Sequence, residues 1–247
     1  MLFLAFSLTF PLSGMAQHEI EWLVAPYGWL PDIGLEQTGG DPGDGNGGGI
    51  SGSSLLDKTD AAGMIRIEAA KNRWGVTLDY IFLDLSDSTV IETPGPVVPA
   101  IDVRADLDLT VVELGAIYRP SGTEHGVHYL FGYRGIDARK TLLITPDGAP
   151  TQRFDSDPGL ADVFVGARYL HRFNRSWDVA VRGDYSFGES EGVVNLLASV
   201  GLRLTDTFTL RGGYRHVVLE YEEQQEGARV NTEIDLSGSF IGFAFRF

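Results

Sequence analysis

The last eight residues of the chain, from Phe240 to Phe247, restrict its fold more than any other segment does. Apolar residues alternate there, so in a β-strand four of them point to one face: Ile241, Phe243, Phe245 and Phe247. In a soluble sheet, such an aromatic edge promotes aggregation unless another element covers it. In a transmembrane barrel, lipid covers the aromatic face and closure removes the edge. The segment therefore favours a membrane barrel, with a soluble β-sandwich as the alternative.

The first residues predict an export signal. Residues 2–12 form an apolar run of the length found in signal-peptide cores, which is too short to cross a bilayer as a helix. The small residues Gly14 and Ala16 suit a cleavage site, so we expect a signal peptide over residues 1–16 and a barrel over residues 17–247. No Lys or Arg precedes the apolar run, so the position of the true start codon stays open.

The composition excludes several classes of protein. After the signal, no stretch approaches the roughly 18 consecutive apolar residues of a membrane-spanning helix. The net charge of −15 argues against nucleic acid as a partner, because nucleic acids are themselves negatively charged. The chain contains no cysteine, which excludes disulfides. A mean hydropathy of −0.01 suits strands in which apolar and polar residues alternate. We expect an all-β chain that holds no metal and no cofactor.

Alternating segments separated by turn residues predict ten strands in a transmembrane antiparallel up-and-down β-barrel. They cover residues 20–35, 60–71, 74–86, 102–119, 126–143, 159–173, 177–187, 193–205, 208–222 and 230–247. Four connections are short, at residues 71–73, 120–124, 174–176 and 205–207, whereas the others are mostly longer. Short turns at one end and longer loops at the other are typical of outer-membrane barrels, which also have an even number of strands. Eight strands, with two of the segments in long hairpin loops, is the alternative.

Along each predicted strand, the charged residues share one parity and the apolar residues share the other. On residues 193–205, for example, Val200 and Ser199 fall on opposite faces. In a barrel the charged face points into the lumen, so we expect a lumen charge network of Arg66, Glu68, Asp79, Glu113, Arg134, Asp162, Arg168, Arg182, Asp184, Arg203, Arg211 and Arg215. Opposite charges in a narrow lumen must pair or be hydrated. We expect Arg203 to pair with Asp184 on the neighbouring strand.

Aromatic residues are frequent near the predicted strand ends. Membrane barrels carry aromatic girdles where their strands meet the two lipid–water interfaces. We therefore expect an interfacial position for all four tryptophans of the chain: Trp22, Trp29, Trp74 and Trp177.

The signal, the alternation, the loop asymmetry and the terminal Phe resemble those of small bacterial outer-membrane β-barrels, which include the OmpA-type, opacity-type and OmpW-type proteins. The resemblance implies location in the bacterial outer membrane, with the turns in the periplasm and without the peptidoglycan-binding domain of full-length OmpA-type proteins. It also implies contact with outer-membrane lipid and lipopolysaccharide. Periplasmic chaperones and the barrel-assembly machinery are the implied partners in biogenesis, and the machinery reads the segment from Ile241 to Phe247. A monomer is expected, although the sequence leaves the oligomeric state open.

The sequence leaves two classes of function open. One is a structural or surface-interaction barrel with a largely filled polar lumen. The other is a narrow porin-like channel for small solutes or apolar compounds, which the excess of arginine would make anion-preferring. An outer-membrane hydrolase would need a His paired with Asp or Ser near the outer rim. His125, His128 and His171 fall at the turn end, and His18 near the N-terminus. Only His216 falls in the outer half, so we expect no enzymatic activity and no catalytic residues.

Overall fold

The structure is a computed structural model that describes residues 19–38, 46–50, 59–91, 101–146, 150–156, 159–225 and 228–247. Twelve strands lie in these ranges: β1 (Glu21–Thr38), β2 (Asn46–Ile50), β3 (Thr59–Lys71), β4 (Trp74–Ile91), β5 (Ile101–Tyr118), β6 (Gly126–Pro146), β7 (Gln152–Ser156), β8 (Gly159–Arg172), β9 (Trp177–Gly188), β10 (Gly192–Arg203), β11 (Phe208–Gln225) and β12 (Ala228–Arg246). Within the described ranges, no helix is long and apolar enough to cross a membrane. The signal peptide expected over residues 1–16 lies outside those ranges.

Ten of the strands form a closed antiparallel barrel, because β12 pairs with β1 and so joins the two ends of the sheet. The four short turns lie at one end of the barrel, the turn end, and the opposite end is the loop end. The remaining strands are short additions at the loop end, where β2 pairs with β1 and β7 pairs with β6. The prediction of ten strands is confirmed, and every strand boundary lies within five residues of its expected position. The eight-stranded alternative is wrong, and sequence reasoning missed β2 and β7.

The pairing register fixes the tilt of the strands. A row of paired residues that starts at Leu23 on β1 and passes once around the barrel returns to β1 at Leu35, twelve residues further along the chain. With ten strands about 4.8 Å apart and a rise of about 3.3 Å per residue, this displacement tilts the strands by about 40° from the barrel axis. A barrel of this size has a narrow interior that side chains can fill.

The outside of the barrel carries an apolar belt. On β4 the outward side chains of the belt are Trp74, Val76, Leu78, Tyr80 and Phe82. At this tilt the stretch rises by roughly 20 Å along the axis, close to the roughly 25 Å of lipid-facing surface in outer-membrane barrels. Three tryptophans are about half exposed at the turn end of the belt, where a lipid–water interface would hold them: Trp22, Trp74 and Trp177.

Beyond the belt, toward the loop end, the outward face of the wall becomes polar and the inward face becomes apolar. On β5 the outward side chain changes from Val112 to Asp108, while the inward side chain changes from Glu113 to Leu109. Inward leucines of β4 and β5 pack there against Ile33: Leu83, Leu85, Leu107 and Leu109. The expectation of charged inward faces along whole strands is therefore wrong for this part of the wall. Water lies outside it, so the apolar side chains turn inward and form a core, as in soluble β-proteins.

The wall is uneven in height. Strands β1, β4, β5, β6, β11 and β12 have 18–21 residues, whereas β3, β8, β9 and β10 have 12–14. The short strands end near the edge of the belt, since the outward side chains of β9 are apolar or aromatic at both ends, from Trp177 to Phe187. The tall part of the wall therefore stands on one side of the barrel, on β11, β12, β1 and β4 to β6, with the shorter β3 between β1 and β4, and its leucine core lies on β1, β4 and β5.

An arginine placed on the belt should destabilise the barrel. Val181 points outward in the middle of β9 with 54% of its surface exposed, so Val181→Arg puts a charge near the bilayer midplane. We expect a loss of roughly 2–4 kcal/mol in the free energy of unfolding, measured by urea denaturation in lipid vesicles. The control is Val218→Arg, outward on β11 beyond the belt and paired with Asp235, which should lose at most about 1 kcal/mol. Equal losses would contradict the position of the belt.

Candidate functional site in the barrel lumen

A carboxylate on β5 lies at the centre of the lumen. Glu113 is 2% exposed and contacts arginines from three other strands. Its Oε1 accepts a hydrogen bond from Arg134 Nη2 at 2.9 Å, and its Oε2 accepts one from Arg182 Nη2 at 2.8 Å. Arg215 Nη2 lies 3.5 Å from Oε1. Three guanidinium groups therefore compensate the desolvation of this carboxylate.

A second carboxylate completes the group. Asp184 on β9 accepts hydrogen bonds from Arg134 Nη2 at 2.5 Å and from Arg182 Nε at 2.7 Å. Asn195 Nδ2 donates to Asp184 at 2.7 Å, and its Oδ1 accepts from Arg215 Nε at 2.9 Å. We name five side chains the central cluster: Glu113, Arg134, Arg182, Asp184 and Arg215. Each of them is at most 5% exposed, and together they connect β5, β6, β9 and β11 across the lumen.

A buried phenylalanine supports two arginines of the central cluster. The ring centroid of Phe164 lies 5.4 Å from Arg134 Cζ and 5.7 Å from Arg182 Cζ, within the range of cation–π attraction. Gly115 on β5 makes room for this ring, because a Cβ atom there would come within 2.9 Å of it. The aromatic ring thus adds a cation–π contact to two guanidinium groups that also bind carboxylates.

Trp29 fills the other side of the lumen. Its ring centroid lies 5.0 Å from Arg215 Cζ, and its Nε1 donates to the carbonyl oxygen of Gly238 at 3.2 Å. It packs with Met64 and Ile81 in a buried apolar cluster. The interfacial position expected for Trp29 is wrong, because this residue is 7% exposed and points inward from β1. Ionic and apolar side chains together fill the lumen at this level.

Two further carboxylates are bonded on the surrounding wall. Asp79 on β4 accepts hydrogen bonds from Arg66 Nη2 at 2.5 Å and from the Tyr27 hydroxyl at 2.9 Å. Asp162 on β8 accepts from the hydroxyls of Ser186 at 3.1 Å and Ser190 at 2.6 Å. The contact with Ser190 holds the short connection after β9 against the barrel wall.

A cavity of about 640 Å³ lies between the central cluster and the turn end, and we name it the turn-end cavity. Arg66, Arg182 and Arg215 line its inner end. Five more arginines line its walls and mouth: Arg119, Arg168, Arg203, Arg211 and Arg246. The acidic residues of the lining are Glu21, Glu68, Glu124 and Asp206. Arginines thus outnumber carboxylates two to one on its surface.

Several arginines of the turn-end cavity have a carboxylate of their own. Arg168 Nη1 donates to Glu68 at 2.5 Å, and its Nη2 lies 3.2 Å from His128 Nδ1. Arg211 pairs with Asp178. Arg119 Nη1 donates to Glu21 at 2.7 Å. These pairs leave the cavity lined by charged groups from nearly every strand.

The turn between β5 and β6 folds across the mouth of the cavity. The Glu124 carboxylate pairs with Arg172 and Arg246. Arg203 Nη2 and His125 Nε2 lie 3.7 Å and 3.3 Å from the same carboxylate. Burial alone would raise the pKa of Glu124, but Arg246 and Arg172 outweigh it and hold the pKa below its usual value. Burial lowers the pKa of His125, so Arg246 and Arg172 are the stronger cationic partners of the carboxylate.

The structure places the twelve expected lumen residues on inward faces and separates them into groups. Five form the central cluster, Arg66 pairs with Asp79, Asp162 bonds two serines, and four line the turn-end cavity: Glu68, Arg168, Arg203 and Arg211. The expected pairing of Arg203 with Asp184 is wrong. The residue of β10 that faces Asp184 is Asn195, whereas Arg203 lies eight residues further along the strand, at the turn end.

The expected lumen network did not include six charged residues that take part in these ion pairs: Glu21, Arg119, Glu124, Arg172, Asp178 and Arg246. Parity could have found some of them, since Arg246 alternates with outward Phe245 and Asp178 alternates with outward Trp177. Glu124 carries no such signal, because the alternation of a strand ends where a turn begins.

The structure describes four of the five histidines, and His18 lies outside the described residues. His216 is on the outward face of β11, with its Nδ1 3.4 Å from Asp235, and His171 is exposed on the outward face of β8. His128 points into the cavity wall, where its Nε2 lies 3.2 Å from the carbonyl oxygen of Thr123. Within the part of the chain that the structure describes, no group of three or more His, Asp or Glu side chains could hold a metal ion.

Comparison with known proteins agrees with this architecture. No protein-family model and no curated protein sequence matches the chain. The outer membrane protease OmpT from Escherichia coli superposes with a TM-score of 0.51 at 7% sequence identity, covering 93% of this chain and 97% of that one. The chain has the fold of an outer-membrane β-barrel. This prediction is confirmed by the closed ten-stranded sheet, whose lipid-facing belt surrounds a charged lumen.

Two other solved barrels align over most of their length. The translocator domain of the autotransporter NalP from Neisseria meningitidis is 10% identical, with a TM-score of 0.43 and coverage of 92% of this chain and 88% of that one. The Pseudomonas putida toluene transporter TodX is 12% identical, with a TM-score of 0.37 and coverage of 93% and 90%. Identities this low concern the fold alone.

The turn between β5 and β6, which carries Glu124 and is called the Glu124 turn below, should contribute less to the stability of the barrel in acid. Glu124 has a folded-state pKa below its unfolded value of about 4.3, so its charge stabilises the barrel above that pH. This stabilisation is lost as the pH falls through the folded-state pKa. We expect wild type to melt at a higher temperature than Glu124→Gln at pH 7, and the difference to shrink steadily below about pH 4. Glu189→Gln, at an exposed position after β9, is the control. A difference that does not change with pH would contradict the role of the Glu124 charge.

Proposed function

We propose that this outer-membrane barrel has a structural or surface-interaction role and that its lumen does not conduct ions at rest. The central cluster is the main support, because its five side chains cross the lumen and are almost completely buried. Trp29, Met64 and Ile81 occupy the rest of the same level. An ion crossing the barrel would have to displace both groups.

The cost of opening this level supports the proposal. Removing one partner from a buried ion pair leaves an uncompensated charge and costs about 3–5 kcal/mol. Glu113 and Asp184 share Arg134 and Arg182, so a path for a hydrated ion requires several of these contacts to break together. The closed arrangement is therefore the resting one in this proposal.

The extended wall supports a role at the cell surface. Its outward residues are polar, as at Asp108, Asp137 and Glu220, and its inner side is packed with leucines. A packed wall is stiff, so it presents its polar outer face beyond the apolar belt, where other molecules can contact it. With a net charge of −15, such a surface attracts divalent cations and basic partners. Outer-membrane lipid and lipopolysaccharide belong to its expected contacts.

A narrow channel is the second candidate, and the turn-end cavity favours it. This cavity already reaches from the mouth of the barrel to Arg182 and Arg215, so the central level is the main barrier between it and the loop end. A pore opened there would prefer anions, because arginines outnumber carboxylates on its wall. Neither candidate involves enzymatic activity.

Removing one central arginine should open the lumen. Arg134→Ala leaves Glu113 and Asp184 short of a partner, and water can enter to solvate them. We expect single-channel conductance in planar bilayers to rise from near zero, and the free energy of unfolding to fall by roughly 3–5 kcal/mol. The control is Arg104→Ala, which removes the partner of Asp106 at the exposed loop end and should lose at most about 1 kcal/mol.

The same recordings separate the two candidates. Steady conductance of the wild-type protein would favour the channel over the structural barrel. A destabilised Arg134→Ala protein that still does not conduct would contradict the role of the central cluster as the barrier.

We also propose that the segment from Ile241 to Phe247 directs insertion by the barrel-assembly machinery after delivery by periplasmic chaperones. Its position at the closing seam supports this. Phe247 exchanges two main-chain hydrogen bonds with Trp22, at 3.0 Å and 3.2 Å, so the outward aromatic row ends where the first and last strands meet. A signal at the seam is available to the machinery until the barrel closes.

Charge at the end of this row should reduce assembly. We expect Phe247→Asp to lower the amount of folded barrel in the outer membrane severalfold, measured as the heat-modifiable band on gels of membrane fractions. Phe173→Asp is the matched control, because Phe173 is similarly exposed at the turn end but lies away from the seam. Similar losses for both variants would show that any charge in this girdle impairs assembly, and would contradict a special role for the seam.

A further inference from the structure

We propose that the turn-end cavity binds a small organic anion that combines a carboxylate or phosphate head with an apolar body. This site is separate from the barrier at the central cluster, although Arg182 and Arg215 contribute to both. Its volume of about 640 Å³ is within the usual range of small-molecule sites in proteins.

The distribution of charge around the cavity is the first support. Arg168 and Arg211 each have a carboxylate of their own, Glu68 and Asp178. Toward the mouth, by contrast, the single carboxylate of Glu124 is close to three arginines: Arg203 and Arg246, which line the cavity, and Arg172, which does not. This local excess of positive charge stands in a protein whose net charge is −15. A site that concentrates positive charge in an acidic protein is suited to an anion.

Unused hydrogen-bond donors are the second support. Arg215 Nη1 is buried without a hydrogen-bond partner among the described residues, although the side chain is 5% exposed and lines the inner end of the cavity. Other lining arginines have buried nitrogens in the same condition: Arg119 Nε, Arg168 Nε and Arg203 Nη2. Buried donors without partners are rare and costly. A water molecule could accept these hydrogen bonds but would not balance the charge, whereas an acidic oxygen does both.

The Glu124 turn shows which group this wall accepts. Its carboxylate enters the mouth of the cavity and pairs with Arg246, close to Arg203. A free carboxylate or phosphate presents the same kind of oxygen to the same donors. Leucines and a phenylalanine on the remaining wall suit an apolar body: Leu23, Leu170, Leu197 and Phe240.

This arrangement makes Glu124 a competitor of the ligand. Removing its charge frees Arg203 and Arg246 and should strengthen binding, whereas removing the charge of Arg203 should weaken it. Residues that only hold the barrel together would not produce opposite effects on the affinity for an anion.

The test is calorimetric titration of the purified barrel in lipid nanodiscs with benzoate and phenyl phosphate, with empty nanodiscs as the blank. Benzyl alcohol is the neutral probe with the same ring. We expect at least one acid to bind more tightly than the alcohol, and Arg203→Gln to weaken its binding about tenfold, as for the loss of one charge-assisted hydrogen bond. Glu124→Gln should bind several times more tightly. Arg175→Gln, in the exposed turn after β8, should bind like wild type.

The outcomes are decisive in both directions. The acid that binds more tightly identifies the preferred head group, and either result supports the site. Binding of both acids no tighter than that of benzyl alcohol overturns the proposal, as does an affinity that neither variant changes. If Arg203→Gln does not fold, Glu124→Gln decides alone: tighter binding supports the site, and equal or weaker binding overturns it.

Discussion

Closing the sheet puts charged side chains into a space too narrow for bulk water, and the rest of the structure depends on how they are compensated. Glu113 is stable there because three guanidinium groups surround it. Those groups come from β6, β9 and β11, so the contacts that satisfy the carboxylate also fix the distance between opposite walls. The same ion pairs therefore neutralise the interior of the barrel and determine its shape.

The strands meet two different solvents along their length. At the level of the belt, lipid lies outside and polar groups gather inside, as at Val112 and Glu113. Further along β5, water lies outside, and Asp108 and Leu109 take the opposite arrangement. A single strand thus changes from a membrane wall to the wall of a soluble core without any change of pairing. The central cluster lies below this change, which separates a charged lumen from an apolar one.

Most of the fold could be predicted from the sequence because lipid and lumen impose a period of two residues on every strand, and turn residues interrupt it. The same parity places the twelve lumen charges on inward faces, but it does not give their partners. Partners depend on the register between strands, which is why Arg203 is next to Glu124 instead of Asp184. Trp29 was misplaced because an aromatic side chain suits an interface as well as a lumen. Glu124 could not be found, since a turn has no alternation to reveal which side chains face inward.

Because the strands are unequal in length, the two sides of the barrel differ in height above the membrane. On the side of β8, β9 and β10, the wall ends near the edge of the belt, where Asp162 holds the connection at Ser190. On the side of β4, β5 and β6, it continues as a packed sheet. A molecule that diffuses laterally in the outer leaflet therefore meets a wall that ends near the membrane surface on the side of β8, β9 and β10. On the side of β4, β5 and β6 it meets a wall that continues beyond the membrane. Neighbours in the membrane can distinguish a front from a back.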